Sequence, residues 1–142
     1  VCSSDLKKLV ELIENSADKG RKVYFISGAT ESTDREAIRK IVEKEKNAII
    51  CASFGVFSTG INIKNLHNIV FASPSKSPIR VLQSIGRGLR KSDNNKDTQL
   101  LDMRDDLHWR KHKNYLLGHS DERIKLYEKE NFKYKIYNIN IT

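Results

Sequence analysis

"AIICAS", Ala48–Ser53, decides the fold class. It holds no polar side chain before Ser53 and is apolar on both faces of a two-residue repeat. A strand of that kind belongs in a parallel sheet covered by helices on both sides. The upstream segments agree. "KVYFIS", Lys22–Ser27, is a β-rich run followed by the turn-like "GAT". Between the two strands, Thr33-Asp34-Arg35-Glu36 reads as a capping box. It opens a helix that turns Ala37, Ile38, Ile41 and Val42 inward and ends in a Lys44–Asn47 turn. Before them, Ser4-Asp5 caps a helix with Leu6, Leu9, Val10 and Ile13 on one face, which stops near Lys19-Gly20.

Downstream, "FGVFSTGINIKNLH" reads as a loop with Gly55 and Gly60, and "NIVFAS" as a third strand. Ser77-Pro78 starts a helix, with serine as cap and proline in the first turn. That helix presents Ile79, Leu82, Ile85 and Leu89 to the core, and "TQLLDM" follows as a fourth strand. Helices alternating with short strands predict an α/β fold with a mainly parallel sheet. After Asp102 the pattern turns polar, with a weak helical stripe at Leu107, Tyr115 and Leu116. Ser120-Asp121-Glu122 is expected to cap a short helix carrying Ile124 and Tyr127. The alternating tail "FKYKIYNINI" reads as an added edge strand. The expected division is a domain over 1–106 and an extension packed on it over 107–142. Such units usually open on a strand, and this chain opens on a helix. A first strand missing at the N-terminus, and hence a piece of something larger, is the expectation.

The 142 residues fit one domain, and no apolar run approaches the roughly 20 needed to span a bilayer. Cys2 and Cys51 are the only cysteines, which suits a reducing, intracellular compartment better than a disulfide scaffold. The net charge of +8 is concentrated. Residues 51–100 hold seven Lys/Arg against two acids, Asp93 and Asp97. That surplus suggests a polyanion, either nucleic acid or nucleotide phosphates. A solvated basic face would carry the same charge.

"VLQSIGRGLRK", Val81–Lys91, sits within that segment. Gln83, Arg87 and Arg90 fall within about 60° of one another on a helix, away from the apolar positions. Arginine is suited to bidentate recognition of phosphate oxygens. Gly86 and Gly88 each weaken a helix by roughly 1 kcal/mol relative to alanine. Their presence suggests that something anionic approaches this backbone closely.

"QSIGRGLRK" resembles motif VI of the superfamily-two helicases, whose pattern is Gln or His, two residues, Gly-Arg, two residues, Arg. "ASFGVFSTGINIKNLHNIVFASP", Ala52–Pro74, resembles their motif V with the following strand, and "STDREAIRKIVEKEKNAIICAS" their approach to it. The ordered set, over about residues 20–106, is similar above all to phage recombination helicases of the UvsW type. The resemblance implies a second RecA-like domain of an ATP-dependent DNA helicase or translocase. Arg90 would be the arginine finger on the γ-phosphate, Arg87 a second phosphate contact, and Gln83 the coupling between ATP and nucleic-acid sites. Gly60 would give the tight loop of motif V near the nucleotide. Asn62 stands where many relatives carry an aspartate that touches the ribose. Ser53 and Thr59 would lie near the nucleic-acid backbone or the domain cleft, and Arg35 matches an arginine that contacts that backbone in some relatives. The implied partners are DNA, single-stranded or branched, and an N-terminal RecA-like domain of the same polypeptide. The cofactor would be ATP with Mg2+, shared with that domain. The cytoplasm of a bacterial host is implied if the protein is phage-encoded.

The chain contains no G-x-x-x-x-G-K-[ST] and no D-E-x-[DH], so it offers one side of an ATPase cleft and is expected to be inactive alone. A non-catalytic basic nucleic-acid-binding module with the same fold is the alternative. Asp105-Asp106 reads as a solvated or helix-capping pair. His108 and His112, four residues apart, lack a third ligand with fitting spacing and read as part of a basic helix. Cys51 reads as core. Trp109, Tyr115 and Tyr127, among Arg110, Lys111 and Lys113, either stack on single-stranded bases or pack the extension.

Overall fold

The computed structural model describes residues 3–60, 63, 66–73, 77–88, 98–106 and 114–140; within them the side chains at 3, 4, 58–60, 87 and 88 are outside the description. The chain divides into two compact units, Val1–Met103 and Arg104–Thr142.

The first unit runs α1 (Ser3–Ser16), β1 (Lys22–Ile26), α2 (Ser32–Val42), β2 (Ala48–Ala52), α3 (Phe54–Gly60), β3 (Asn68–Phe71), α4 (Pro78–Gly88) and β4 (Gln99–Asp102). All pairing among the described residues is parallel. β1 pairs with β2, Lys22 opposite Ala48 through Ile26 opposite Ala52. β3 pairs with β4, Asn68 opposite Gln99 through Phe71 opposite Asp102. The four expected strands are therefore present, arranged as two parallel pairs. α1 packs on β1 and β2 through buried Leu6 and Val10, and α4 packs on α3 and β3. The core gathers Ile26, Val42, Val56 and Ile63, with Tyr24, Ile38 and Ile50 packed against them.

Three local expectations differ from the structure. "FGVFSTG" is a helix, not a loop. Its apolar residues outweigh its glycines: Val56 is buried, and the Phe54 ring meets Phe71 edge-on at 5.3 Å. The capping box at Thr33 does not form, because α2 starts at Ser32 with Glu31 as an N-cap that makes no side-chain cap bond. Of its expected inward residues, Val42 is buried and Ile38 half-buried, while Ala37 and Ile41 are exposed. In α4 the inward face is Val81, Ser84 and Ile85, with Leu82 half-buried and Ile79 70% exposed. Residues two apart lie about 200° apart on a helix, so burying Val81 turns Ile79 outward. Leu89 lies outside the described residues.

The second unit contains α5 (Tyr115–Lys129). Its N-cap is Asn114, whose side chain accepts from the Leu117 N–H, and not Ser120. Ser120 lies inside the helix and is buried on one face with Leu117, Arg123 and Tyr127. The helix ends in a Schellman arrangement. Asn131 takes φ 56°, its N–H donates to Glu128 O at 3.1 Å, and the Phe132 N–H donates to Tyr127 O at 2.9 Å. The tail at 132–140 forms no strand. Its alternation is that of an edge strand, but a strand requires a ladder partner for its N–H and C=O groups. Instead the Tyr134 hydroxyl donates to Glu128 Oε1 at 2.7 Å, and Tyr137 and Ile139 are exposed.

Candidate functional site

The sequence-derived site maps onto three places: the turn after β1, the β2–α3 junction and the outer face of α4.

α4 begins at Pro78, where a missing N–H costs nothing, and the Val81 N–H donates to Ser77 O at 3.1 Å. Gln83 lies about 200° from buried Val81 and is exposed. The helix continues through positions 87 and 88, so residue 87 follows Gln83 by one turn on the same face. The side chain of Arg87, and Arg90 altogether, lie outside the description. α4 carries no acidic residue between Pro78 and Gly88. Gly86 is exposed, and a Cβ built there would meet nothing within 4 Å. Among the described residues, no internal packing therefore demands this glycine. Arg80, which the motif-based reading passed over, is exposed three residues before Gln83 and so on the same face. Its spacing was available in the sequence.

At the second place, the Ser53 N–H donates to Ile26 O at 3.2 Å, and Ser53 O accepts from the Phe57 N–H at 3.0 Å. Ser53 thus ties the end of β1 to the start of α3. Thr59 and Gly60 belong to the last turn of α3, and Asn62 lies outside the described residues. Because α3 packs on α4, the segment from Ser53 to Gly60 adjoins the helix that bears Gln83 and position 87.

At the third place, Arg35 is half-buried and turned onto its own chain. Its Nε donates to Thr30 O at 2.8 Å and one terminal nitrogen to Gly28 O at 3.1 Å. The Ser27 N–H donates to Thr30 Oγ1 at 3.0 Å within the same turn. Arg35 thereby holds the shape of the segment between β1 and α2. Spacing could place Arg35 on α2, but not reveal that its guanidinium would satisfy two carbonyls of the preceding turn.

Of the remaining candidates, Cys51 and Tyr127 are part of the packed interior. Cys51 is buried, and that burial, with Glu14 as a smaller influence, pushes its thiol pKa up. Such a thiol is a poor nucleophile. Tyr127 is buried with its ring 6.4 Å from that of Phe132, whereas Tyr115 is exposed. Trp109, His108 and His112 lie outside the described residues. Asp105 and Asp106 are exposed. Among the described residues no group of three His, Cys, Asp or Glu side chains could hold a metal ion, and no helix is long and apolar enough to cross a membrane.

The chain is similar to known proteins in sequence and in fold. The chain is 39% identical over 145 aligned positions to the ATP-dependent DNA helicase uvsW of Enterobacteria phage T4, covering 95% of this chain and 28% of that protein. The crystal structure of T4 UvsW superimposes with a TM-score of 0.62 at 39% identity, over 89% of this chain and 27% of that one. The C-terminal part of the Fun30 ATPase domain superimposes with a TM-score of 0.60 at 14% identity, over 90% of this chain and 46% of that one. That second likeness speaks for the fold alone. Parallel strands between helices are thus the RecA-like arrangement of helicase C-terminal domains. This chain spans little more than a quarter of the curated relative's length. The helicase conserved C-terminal domain family matches residues 2–92, and the chain belongs to that family.

Proposed function

We propose that this chain is the second motor domain of an ATP-dependent DNA helicase or translocase of the recombination or branch-migration type. The observation that carries this reading is the packing of α3 on α4, which joins the two segments that resemble motifs V and VI. The acid-free surface of α4 suits an anionic ligand.

In this reading Arg87 and Arg90 hold γ-phosphate oxygens, and Gln83 links them to the nucleic acid. Gly60 and Asn62 border the nucleotide, and Ser53, Thr59 and Arg35 serve the nucleic-acid side. ATP with Mg2+, held between this domain and a preceding RecA-like domain, supplies the bond whose hydrolysis drives movement. The chain's own part is to bring positive charge to the terminal phosphate when the two domains close, and to release it afterwards. Contacts to the nucleic-acid backbone rather than to base edges fit a motor that must move along any sequence. This domain alone does not turn over ATP.

The test is ATPase activity, with and without branched DNA, of the protein extended upstream through a P-loop domain, beside its Arg90→Ala variant. An arginine finger is worth about 10³-fold or more in rate, so the variant should lose activity on that scale. Equal turnover by parent and variant would replace the motor reading with a non-catalytic basic nucleic-acid-binding module.

A further inference from the structure

Arg80 stands apart from the other described arginines. Arg21 pairs with Asp18, Arg39 with Glu36 and Glu43, and Arg104 with Asp121. Arg35 clasps two carbonyls, and Arg123 is buried and engaged. Arg80 is exposed and takes part in no ion pair or hydrogen bond among the described residues. It also sits in the first turn of α4, at the positive end of the helix dipole, where a cation is disfavoured. Among the described residues, neither a carboxylate nor the helix therefore accounts for the charge. The exposed positions around it, Ile79, Gln83 and Gly86, add no negative charge.

The helix rise of 1.5 Å per residue places Arg80 about 4.5 Å along the axis from Gln83 and about 10 Å from position 87. A single phosphoryl group held at 87 and 90 does not extend that far. A polymer of phosphates does. We infer that Arg80 binds a backbone phosphate of single-stranded nucleic acid, on the opposite side of Gln83 from the positions assigned to ATP. This inference rests on the assignment of Arg87 and Arg90 to the γ-phosphate.

The experiment titrates a fluorescent oligo-dT with this chain by anisotropy, from about 20 to 200 mM salt, where phosphate contacts dominate the salt dependence. Parent, Arg80→Ala and Arg80→Lys are compared, with melting temperatures as a folding control. A lost contact to a single strand should lower the slope of log K against log salt by about 0.7, and affinity at low salt should fall several-fold. Arg80→Lys should restore the slope, because the charge is retained. Equal slopes for parent and Arg80→Ala, or no binding by the parent at the lowest salt, would overturn the inference. The reduced slope in Arg80→Ala together with full ATPase activity in the Arg90→Ala motor would separate the two readings: the phosphate contact would stand and the γ-phosphate assignment would fall.

Discussion

Replacing Gly86 by alanine should stabilise the protein while impairing the function assigned to α4. Gly86 is exposed in a helix, without the positive φ that only glycine adopts freely, and an added Cβ meets nothing within 4 Å. The helix then gains the usual difference between glycine and alanine, about 0.5–1 kcal/mol. Unfolding entropy of about 2.1 cal/mol/K per residue gives about 0.3 kcal/mol/K for 142 residues, so Tm should rise by about 2–3 °C. Gly20 is the control of opposite sign. It adopts φ +90°, where a side chain is strained whatever the space around it. Gly20→Ala should therefore cost about 1–2 kcal/mol. Both variants can be followed by thermal and urea unfolding of the chain. In the extended motor, Gly86→Ala should lower ATPase activity, because the methyl group intrudes where a ligand approaches. A fall in Tm for Gly86→Ala would refute the helical, uncrowded environment. Unchanged ATPase activity would refute close approach to this backbone.

Two further outcomes follow from burial and charge. Ile26 is fully buried in the core, so Ile26→Ala should cost about 2–5 kcal/mol in urea unfolding; Ile79 is 70% exposed, so Ile79→Ala should stay within about 0.5 kcal/mol. Equal losses would mean that the inward face of α4 has been assigned wrongly. Burial raises the Cys51 pKa, so the folded chain holds that proton more tightly than the unfolded one. This contribution is complete below the unfolded thiol pKa of about 8.5 and is lost as pH rises through the folded value. Stability should therefore fall above about pH 8.5 more steeply in the parent than in Cys51→Ala, measured as urea midpoints across that range. Parallel pH profiles would refute it.

Much of the molecule was legible because its elements obey local rules. The strand at Ala48 announced itself by apolar residues on both faces, and its pairing with β1 is parallel. Ser77-Pro78 marked the start of α4 within a residue. Gln83 is exposed on α4, on the side away from buried Val81, as the helix repeat predicts. At α3 and in the tail, where the reading departed from the structure, the deciding partner lies or would lie on a segment distant in the chain. The helix at Phe54 exists where glycines argued for a loop, and its Phe54 ring meets that of Phe71 on β3 edge-on. The tail at 132–140 alternates like a strand, yet pairing requires a neighbour that no local pattern supplies.

Local patterns in the chain were enough for the α/β class, the four parallel strands and the basic middle of the chain. Periodicity, capping and charge act over a few residues and need no partner. Packing selected which face of α4 is buried, laid α3 against it, and turned the Arg35 guanidinium onto the carbonyls of Thr30 and Gly28. Those outcomes depend on which surfaces exclude water from one another and which buried polar groups find partners. Both are properties of the packed chain rather than of any segment.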